Sequence, residues 1–375
     1  TRFAEPPARE FAQFLRPFLR AAGRTATGPA VAGLPLDSWY PCPQPGGAAG
    51  VREALLTLLG SYNICDKAAV YRHYDSEVQG RAVLRPGEAD AAVIAFAPGS
   101  PLGMAAACGG ASRLAAANPF LGGAWAVVEA VRNLACVGAE PLAVTDCLNY
   151  GDPEAPAVFH EFAEGVRGVG EACRALRIEE GAECGVPVIS GNVSFYNQSE
   201  RREPIAPTAI VACVGRIPDI STARGMAFKR NDSLVVHVGR FHSRLGGSEY
   251  ERFYGGADPF DVPVPAYGEE VRMVRAVLQG FREGLVQAAH DVSHGGVLVT
   301  AAEMMLAPLR RRFDPLLSRD DGPVKPDPWA VCRICELWGI QPRQAVVIGD
   351  YYFDVEAGRR AGARTVLLIG ERDPR

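Results

Sequence analysis

Between Asn118 and Ser194 the sequence alternates long blocks of helical and extended periodicity, and this constrains the fold more than any other feature. "NPFLGGAWAVVEAVRNLACVG" has helical spacing, with Asn118 placed to cap it and Pro119 in the first turn, where a missing N–H costs nothing. "AEPLAVTD" is an apolar run of buried-strand type, "DPEAPAVFHEFAEGVRGVGEACRAL" is a long amphipathic helix, and "VPVIS" is a second buried strand. Helices alternating with apolar strands build parallel strand pairs covered on one face. The charged, Gly-containing "RIEEGAECG" between the second helix and its strand reads as a surface insertion.

The flanks divide into further units. Residues 1–50 read as a leader and linker: "REFAQFLRPFLRAAG" sets Phe11, Phe14, Leu15, Phe18 and Leu19 on one helical face, and "PCPQPGGAAG" follows. Residues 51–220 form the first domain, opening with the helix "VREALLTLLG" and a strand–turn–strand around Pro86-Gly87. Residues 221–307 restart the pattern, with "DSLVVHVG" and "VQAAHDVS" as strands and "VPAYGEEVRMVRAVLQGFREGL" and "GGVLVTAAEMML" as helices. Residues 313–375 order as helix, strand, helix, strand, a partial Rossmann-like βαβ unit. The fold class expected is thus α/β and α+β, in several domains.

Composition narrows the function. A net charge of −4 is not that of a nucleic-acid binder, which carries a basic excess or stripe. No apolar run approaches the roughly 20 residues that span a bilayer, and no signal-peptide pattern is present, so a cytoplasmic protein is expected. The ten cysteines stand singly except Cys332 and Cys335, which fall in a helical stretch with no second pair to complete a zinc site.

Polar residues collect where the apolar strands finish. "AVTDCLNYGDPE" carries Asp146, Asn149 and Gly151, and "PVISGNVSFYNQ" carries Gly191, Asn192, Ser194, Tyr196 and Asn197. Ligands of α/β sheets gather at the carboxyl ends of strands, Gly191 admits close backbone approach, Asn192 offers a neutral oxygen to Mg²⁺, and Ser194 a hydroxyl. Taken singly, the same residues serve equally as turn caps. As a set they predict loops from adjacent parallel strands converging on one pocket for triphosphate and cation.

Residues from about 55 to 306 resemble the second half of phosphoribosylformylglycinamidine synthase, the large-subunit type of purine biosynthesis. The likeness is carried, in the family's order, by "SYNICDKAAVYRHYDSEVQG", "GGAWAVVEAVRNLACVGAEPLAVTDCLNYGDPE", "PVISGNVSFYNQ", "LGGSEY" and "HDVSHGG". That family has two repeats, each an A and a B domain related to aminoimidazole ribotide synthetase. It uses ATP to phosphorylate the amide oxygen of formylglycinamide ribotide, and ammonia from a glutaminase partner then displaces phosphate. The resemblance implies that Asp146 and Gly191 contact ATP, Asn192 ligates Mg²⁺ and Ser194 touches the ribotide. It also implies dimerisation through the A domain.

Departures accompany the likeness. The family's catalytic histidine and most of its metal carboxylates belong to the first repeat, so a partial site, inactive without a first-repeat chain, is implied. Cys108-Gly109-Gly110 stands where the family has an acidic Asp-Gly-Asn segment, and His294 where an Asp is usual, with Ser293 expected to cap the following helix. Of the other histidines, His73, His160, His237 and His242 read as surface or hydrogen-bonded residues, and His290 sits at an expected strand end.

The last segment resembles the haloacid-dehalogenase superfamily of phosphohydrolases, through "VKPDP" with Lys325 and "GDYYFDVEAGRRAGARTVLL" with Asp350 and Asp354. The resemblance implies phosphate at Lys325 and Mg²⁺ at the two acids. No two aspartates of the chain are separated by a single residue, so the family's Asp-x-Asp nucleophile is missing, and adjacent Asp320-Asp321 do not replace it. A structural remnant is expected here; a Mg²⁺-dependent phosphatase and a non-catalytic interaction paralogue are the alternatives to the synthase reading.

Overall fold

A computed structural model describes residues 47–71, 73–76, 78–179, 183–199, 203–230, 233–240, 244–255, 261–310, 322–349 and 351–367. The chain divides into two compact units at Pro308/Leu309. The expected leader helix at 9–23 lies outside the described residues.

The first unit opens with helix α1 (Gly47–Leu59) and the short α2 (Ala68–Tyr71). Strands β1 (Ala82–Leu84), β2 (Ala92–Ala95) and β3 (Gly103–Gly110) lead into helices α3 (Ser112–Ala117) and α4 (Pro119–Cys136). Then come β4 (Glu140–Asn149), α5 (Pro156–Ala175), β5 (Val188–Ser194) and β6 (Thr208–Ile217). The six strands form one sheet in the order β1-β2-β3-β6-β4-β5, antiparallel except for the parallel β4–β5 pair.

Helix α4 forms where its spacing predicts. The Asn118 side chain accepts from the Leu121 amide at 3.0 Å, and Pro119 occupies the first turn. Its apolar stripe, Ala124, Val127, Val128, Val131 and Leu134, is at most 1% exposed and packs on the sheet. Each such Val or Leu contributes about 1.5–3 kcal/mol. Helix α5 lies against α4 through small residues: a β-carbon on Gly123 would strike the Gly165 carbonyl, and one on Gly168 the Phe120 carbonyl. The odd-numbered residues of β6 from Ala209 to Ile217 face these helices, and the even-numbered ones line the open face.

Two central strands, β3 and β6, escape the sequence reading. "GMAAACGG" lacks the β-branched and aromatic residues that mark strands, yet alternates buried and exposed along its whole length. Tertiary pairing with β2 and β6 overrides its weak propensity.

Beyond β6 come α6 (Glu249–Tyr254), α7 (Tyr267–Arg282) and α8 (Gly296–Arg310). The expected helices form, but the expected strands "DSLVVHVG" and "VQAAHDVS" do not, because neither has a ladder partner among the described residues. The second unit contains α9 (Trp329–Trp338), β7 (Val346–Gly349), α10 (Tyr352–Ala361) and β8 (Arg364–Leu367), with β7 and β8 parallel as the βαβ reading predicts. Cys332 and Cys335 lie on α9, Cys335 buried and Cys332 half-buried.

Candidate functional site

The β4–β5 register sets Asp146 beside Gly191, Cys147 beside Asn192 and Asn149 beside Ser194. Across the sheet Asp146 pairs with Val211, a fully buried residue of the helix-packed face. Successive strand side chains alternate between faces. Asp146 therefore leaves on the helix side, and Asn192 and Ser194 on the open side.

The two strands thus stand side by side at the backbone, while the side chains leave by opposite faces. Asp146, Gly191, Asn192 and Ser194 also sit within the strands rather than in loops beyond them. What rejoins the two faces is the sheet's edge. β5 is the outermost strand, and its residues from Val188 to Val193 are exposed. Gly191 is the thin point of that edge: a β-carbon there would overlap the Asp146 carboxylate. A ligand folded around the edge at Gly191 meets the Asp146 carboxylate on one side and the Asn192 amide on the other.

The carboxyl end of β5 is held in shape. Asn197 donates from Nδ2 to the Tyr150 carbonyl at 3.1 Å, the Ser194 carbonyl at 2.9 Å and Ser194 Oγ at 3.1 Å. Between them Tyr196 adopts φ 58°, a left-handed conformation uncommon outside glycine, while its ring is exposed. Partial burial raises the pKa of Asp146 above the usual carboxylate value.

A second polar cluster, unforeseen from sequence, joins the segments on either side of residue 220. His290 Nδ1 lies 2.6 Å from Asp90 Oδ1, and Nε2 lies 3.0 Å from Glu303 Oε2. Asp90 also accepts from the Asp291 amide at 3.0 Å. Asp90, His290 and Asp291 bring ligand-type atoms within 4.8 Å of one another, as a metal site would. Carboxylates engage both imidazole nitrogens, an arrangement that favours the protonated ring. Burial opposes that charge, but hydrogen bonds to Asp90 and Glu303 and the nearby charges raise the His290 pKa to about 10. Burial, then Asp90 and Glu129, raises Asp291 to about 8.

Ser293 does not cap the next helix with its side chain: the hydroxyl donates to Glu129 Oε1 at 2.7 Å. Glu129 Oε2 accepts from the Gly110 amide at 2.9 Å, which ties the end of the Cys108-Gly109-Gly110 segment to the loop before α8. His294 Nε2 stands 3.9 Å from the same carboxylate. His73, His160 and His237 are exposed, and His242 lies outside the described residues.

In the second unit Lys325 Nζ is bonded directly to Asp354, which also accepts from the Tyr351 amide at 3.2 Å. The Lys325 bond is the first cause of the lowered Asp354 pKa. Asp350 and the Asp320-Asp321 pair lie outside the described residues.

Three family models match the chain. "AIR synthase related protein, N-terminal domain" takes residues 88–217, "AIR synthase related protein, C-terminal domain" takes 230–320, and a haloacid-dehalogenase hydrolase-like model takes 324–372. Among curated proteins, phosphoribosylformylglycinamidine synthase subunit PurL of Methanothrix thermoacetophila is 41% identical over 256 residues, 68% of this chain and 33% of that protein. The PurL subunit of Alkaliphilus metalliredigens is 43% identical over 255 residues, with the same coverage. The chain thus spans about a third of the length of these relatives. Among solved structures, PurLQS from Thermotoga maritima aligns at 32% identity and a TM-score of 0.38, over 44% of this chain and 25% of that one. Through the paired N- and C-terminal matches, more than half of this chain belongs to the AIR synthase related family.

Proposed function

We propose that residues of this chain supply the second-repeat wall of a phosphoribosylformylglycinamidine synthase site, the other wall coming from a first repeat. The observation carrying this reading is the placement of Asp146, Gly191, Asn192 and Ser194 side by side on β4 and the open edge strand β5. In this reading Asp146 and the Gly191 backbone hold ATP, Asn192 gives an oxygen to Mg²⁺, and Ser194 orients formylglycinamide ribotide.

The donor set fits Mg²⁺ in part. The Asn192 amide oxygen, on the open face, would give Mg²⁺ one hard oxygen ligand, while the Asp146 carboxylate, on the helix face, would meet the nucleotide separately. Bound there, Mg²⁺ would neutralise charge on the transferring phosphoryl group. The residues of this chain position the reactants: the amide oxygen of the ribotide bonds to the γ-phosphorus as the bond to ADP breaks. Ammonia then adds to the activated carbon and phosphate leaves, giving the amidine. The first step depends on alignment, which Gly191 favours by letting backbone and phosphate approach closely.

The partner surface is the open face of the sheet, where Ile94, Met104 and Ile210 are exposed. It suits the other repeat or a second copy, both of which present a comparable sheet. The test is reconstitution: this chain, a separately expressed first-repeat chain, a glutaminase, glutamine, Mg-ATP and the ribotide, with amidine as readout. Product with the wild type and a loss above tenfold with Asn192→Ala are expected. No product from the wild-type mixture sinks the proposal.

A further inference from the structure

The turn that leaves β5 is held by residues on either side of Tyr196. Phe195 sets its ring 5.0 Å from that of Phe162 on α5, and Phe162 lies 5.4 Å from Tyr150, so Phe195 supplies the turn's apolar hold on the core. The Tyr196 amide donates to the Gly151 carbonyl at 2.8 Å, and the Asn197 amide to the Tyr150 carbonyl at 3.1 Å. The Ile205 amide donates to the Asn197 carbonyl at 3.1 Å. All of these polar bonds are made by the backbone, and glycine at 196 would keep them.

Yet Tyr196 stands at φ 58°, and the residue is 58% exposed. Glycine takes that left-handed conformation freely, whereas a β-carbon strains it. A ring left largely in water returns little of that cost through burial. Strain of this kind persists where the surroundings fix it, and it gathers at ligand sites. Here the backbone bonds fix the turn, and the ring is the one part that glycine would lack.

The ring's place selects the ligand. Asn197 Nδ2, which closes the turn, also bonds Ser194 Oγ at 3.1 Å. Two residues of chain keep the Tyr196 and Ser194 α-carbons within about 7 Å. Gly191, where the ATP phosphates would approach, lies three residues back along β5, on the far side of Ser194. A tyrosine ring offers a broad apolar face, which suits the C–H groups of a ribose.

We propose that the Tyr196 ring is a wall of the ribotide subsite and packs on the ribose beside the group that Ser194 holds. The role rests on the placing of formylglycinamide ribotide at Ser194 under the proposed function. It adds a residue that sets affinity for the ribotide and not for ATP.

The experiment titrates formylglycinamide ribotide, and separately Mg-ATP, by calorimetry into the full chain as wild type, Tyr196→Gly and Tyr196→Phe. Denaturant midpoints of all three are measured alongside. Tyr196→Gly should unfold no earlier than the wild type, because it relieves the strain. It should bind the ribotide about tenfold more weakly and Mg-ATP within about twofold, while Tyr196→Phe keeps ribotide affinity within about threefold. Ribotide binding by Tyr196→Gly equal to the wild type leaves the edge site standing and overturns the role of Tyr196 alone. An equal loss of both ligands in Tyr196→Gly, or a loss in Tyr196→Phe as large as in Tyr196→Gly, also overturns the ring wall. Binding of neither ligand by the wild type contradicts the edge site itself, and the role of Tyr196 falls with it.

Discussion

Gly191 and His290 show how single residues govern this molecule. Any side chain at 191 displaces the Asp146 carboxylate, a movable side-chain end on an exposed edge, so Gly191→Ala should change stability in denaturant unfolding by less than about 1 kcal/mol. On the proposed function it should weaken Mg-ATP binding far more than it changes stability. His290 stands between Asp90 and Glu303, which favour its charged form, with Asp291 on its own segment and Arg132, Glu129 and Cys136 on α4 near that cluster. Its pKa is raised to about 10 from an ordinary value near 6.5. Its contribution is therefore complete below the ordinary value and lost as pH climbs through about 10. The raised Asp291 acts in the same direction, its contribution falling as pH rises through about 8. Melting temperature should decline between pH 7 and 10, and His290→Gln should start lower and flatten the upper part of that decline. A wild-type profile level from pH 7 to 10 would contradict the assignment.

Among the elements, α4 is the one whose removal the fold tolerates least. Leu134 is fully buried in it, and Leu134→Ala should cost about 2–5 kcal/mol by chemical denaturation. Its position was legible in the sequence because cap, first-turn proline and apolar stripe agree. β3 was not, because alanine and glycine give no strand signal and only pairing with β2 and β6 makes it one. The converse holds for "DSLVVHVG", where propensity is strong and no partner strand stands beside it. Asp146, Gly191, Asn192 and Ser194 were legible as a set through their likeness to a family. Their division between two faces was hidden, since it depends on a register that only the paired strands define. The Asp90–His290–Glu303 cluster was also out of reach, with 200 residues separating its first two members. The tail offers its own check. Lys325 and Asp354 pair with each other and no Asp-x-Asp nucleophile is present in these 375 residues, so this chain should not hydrolyse a generic phosphate ester. Mg²⁺-dependent hydrolysis that Asp354→Asn abolishes would reverse that view.

At the scale of the whole molecule, the described helices include none long and apolar enough to cross a membrane. The first unit contains the N-terminal AIR-synthase-related match and residues 230–308 of the C-terminal one, and the second contains the hydrolase-like match. The functional account rests on the first: half of a nucleotide site on an edge strand that exposes both faces of its sheet. Mg-ATP titrated by calorimetry into the wild-type chain, Asn192→Ala and Asp146→Asn tests this most directly. The account predicts weak binding to the wild type that falls more than tenfold in each variant, since the ligand must touch both faces at Gly191. Equal binding by all three proteins, or none by the wild type, would contradict it.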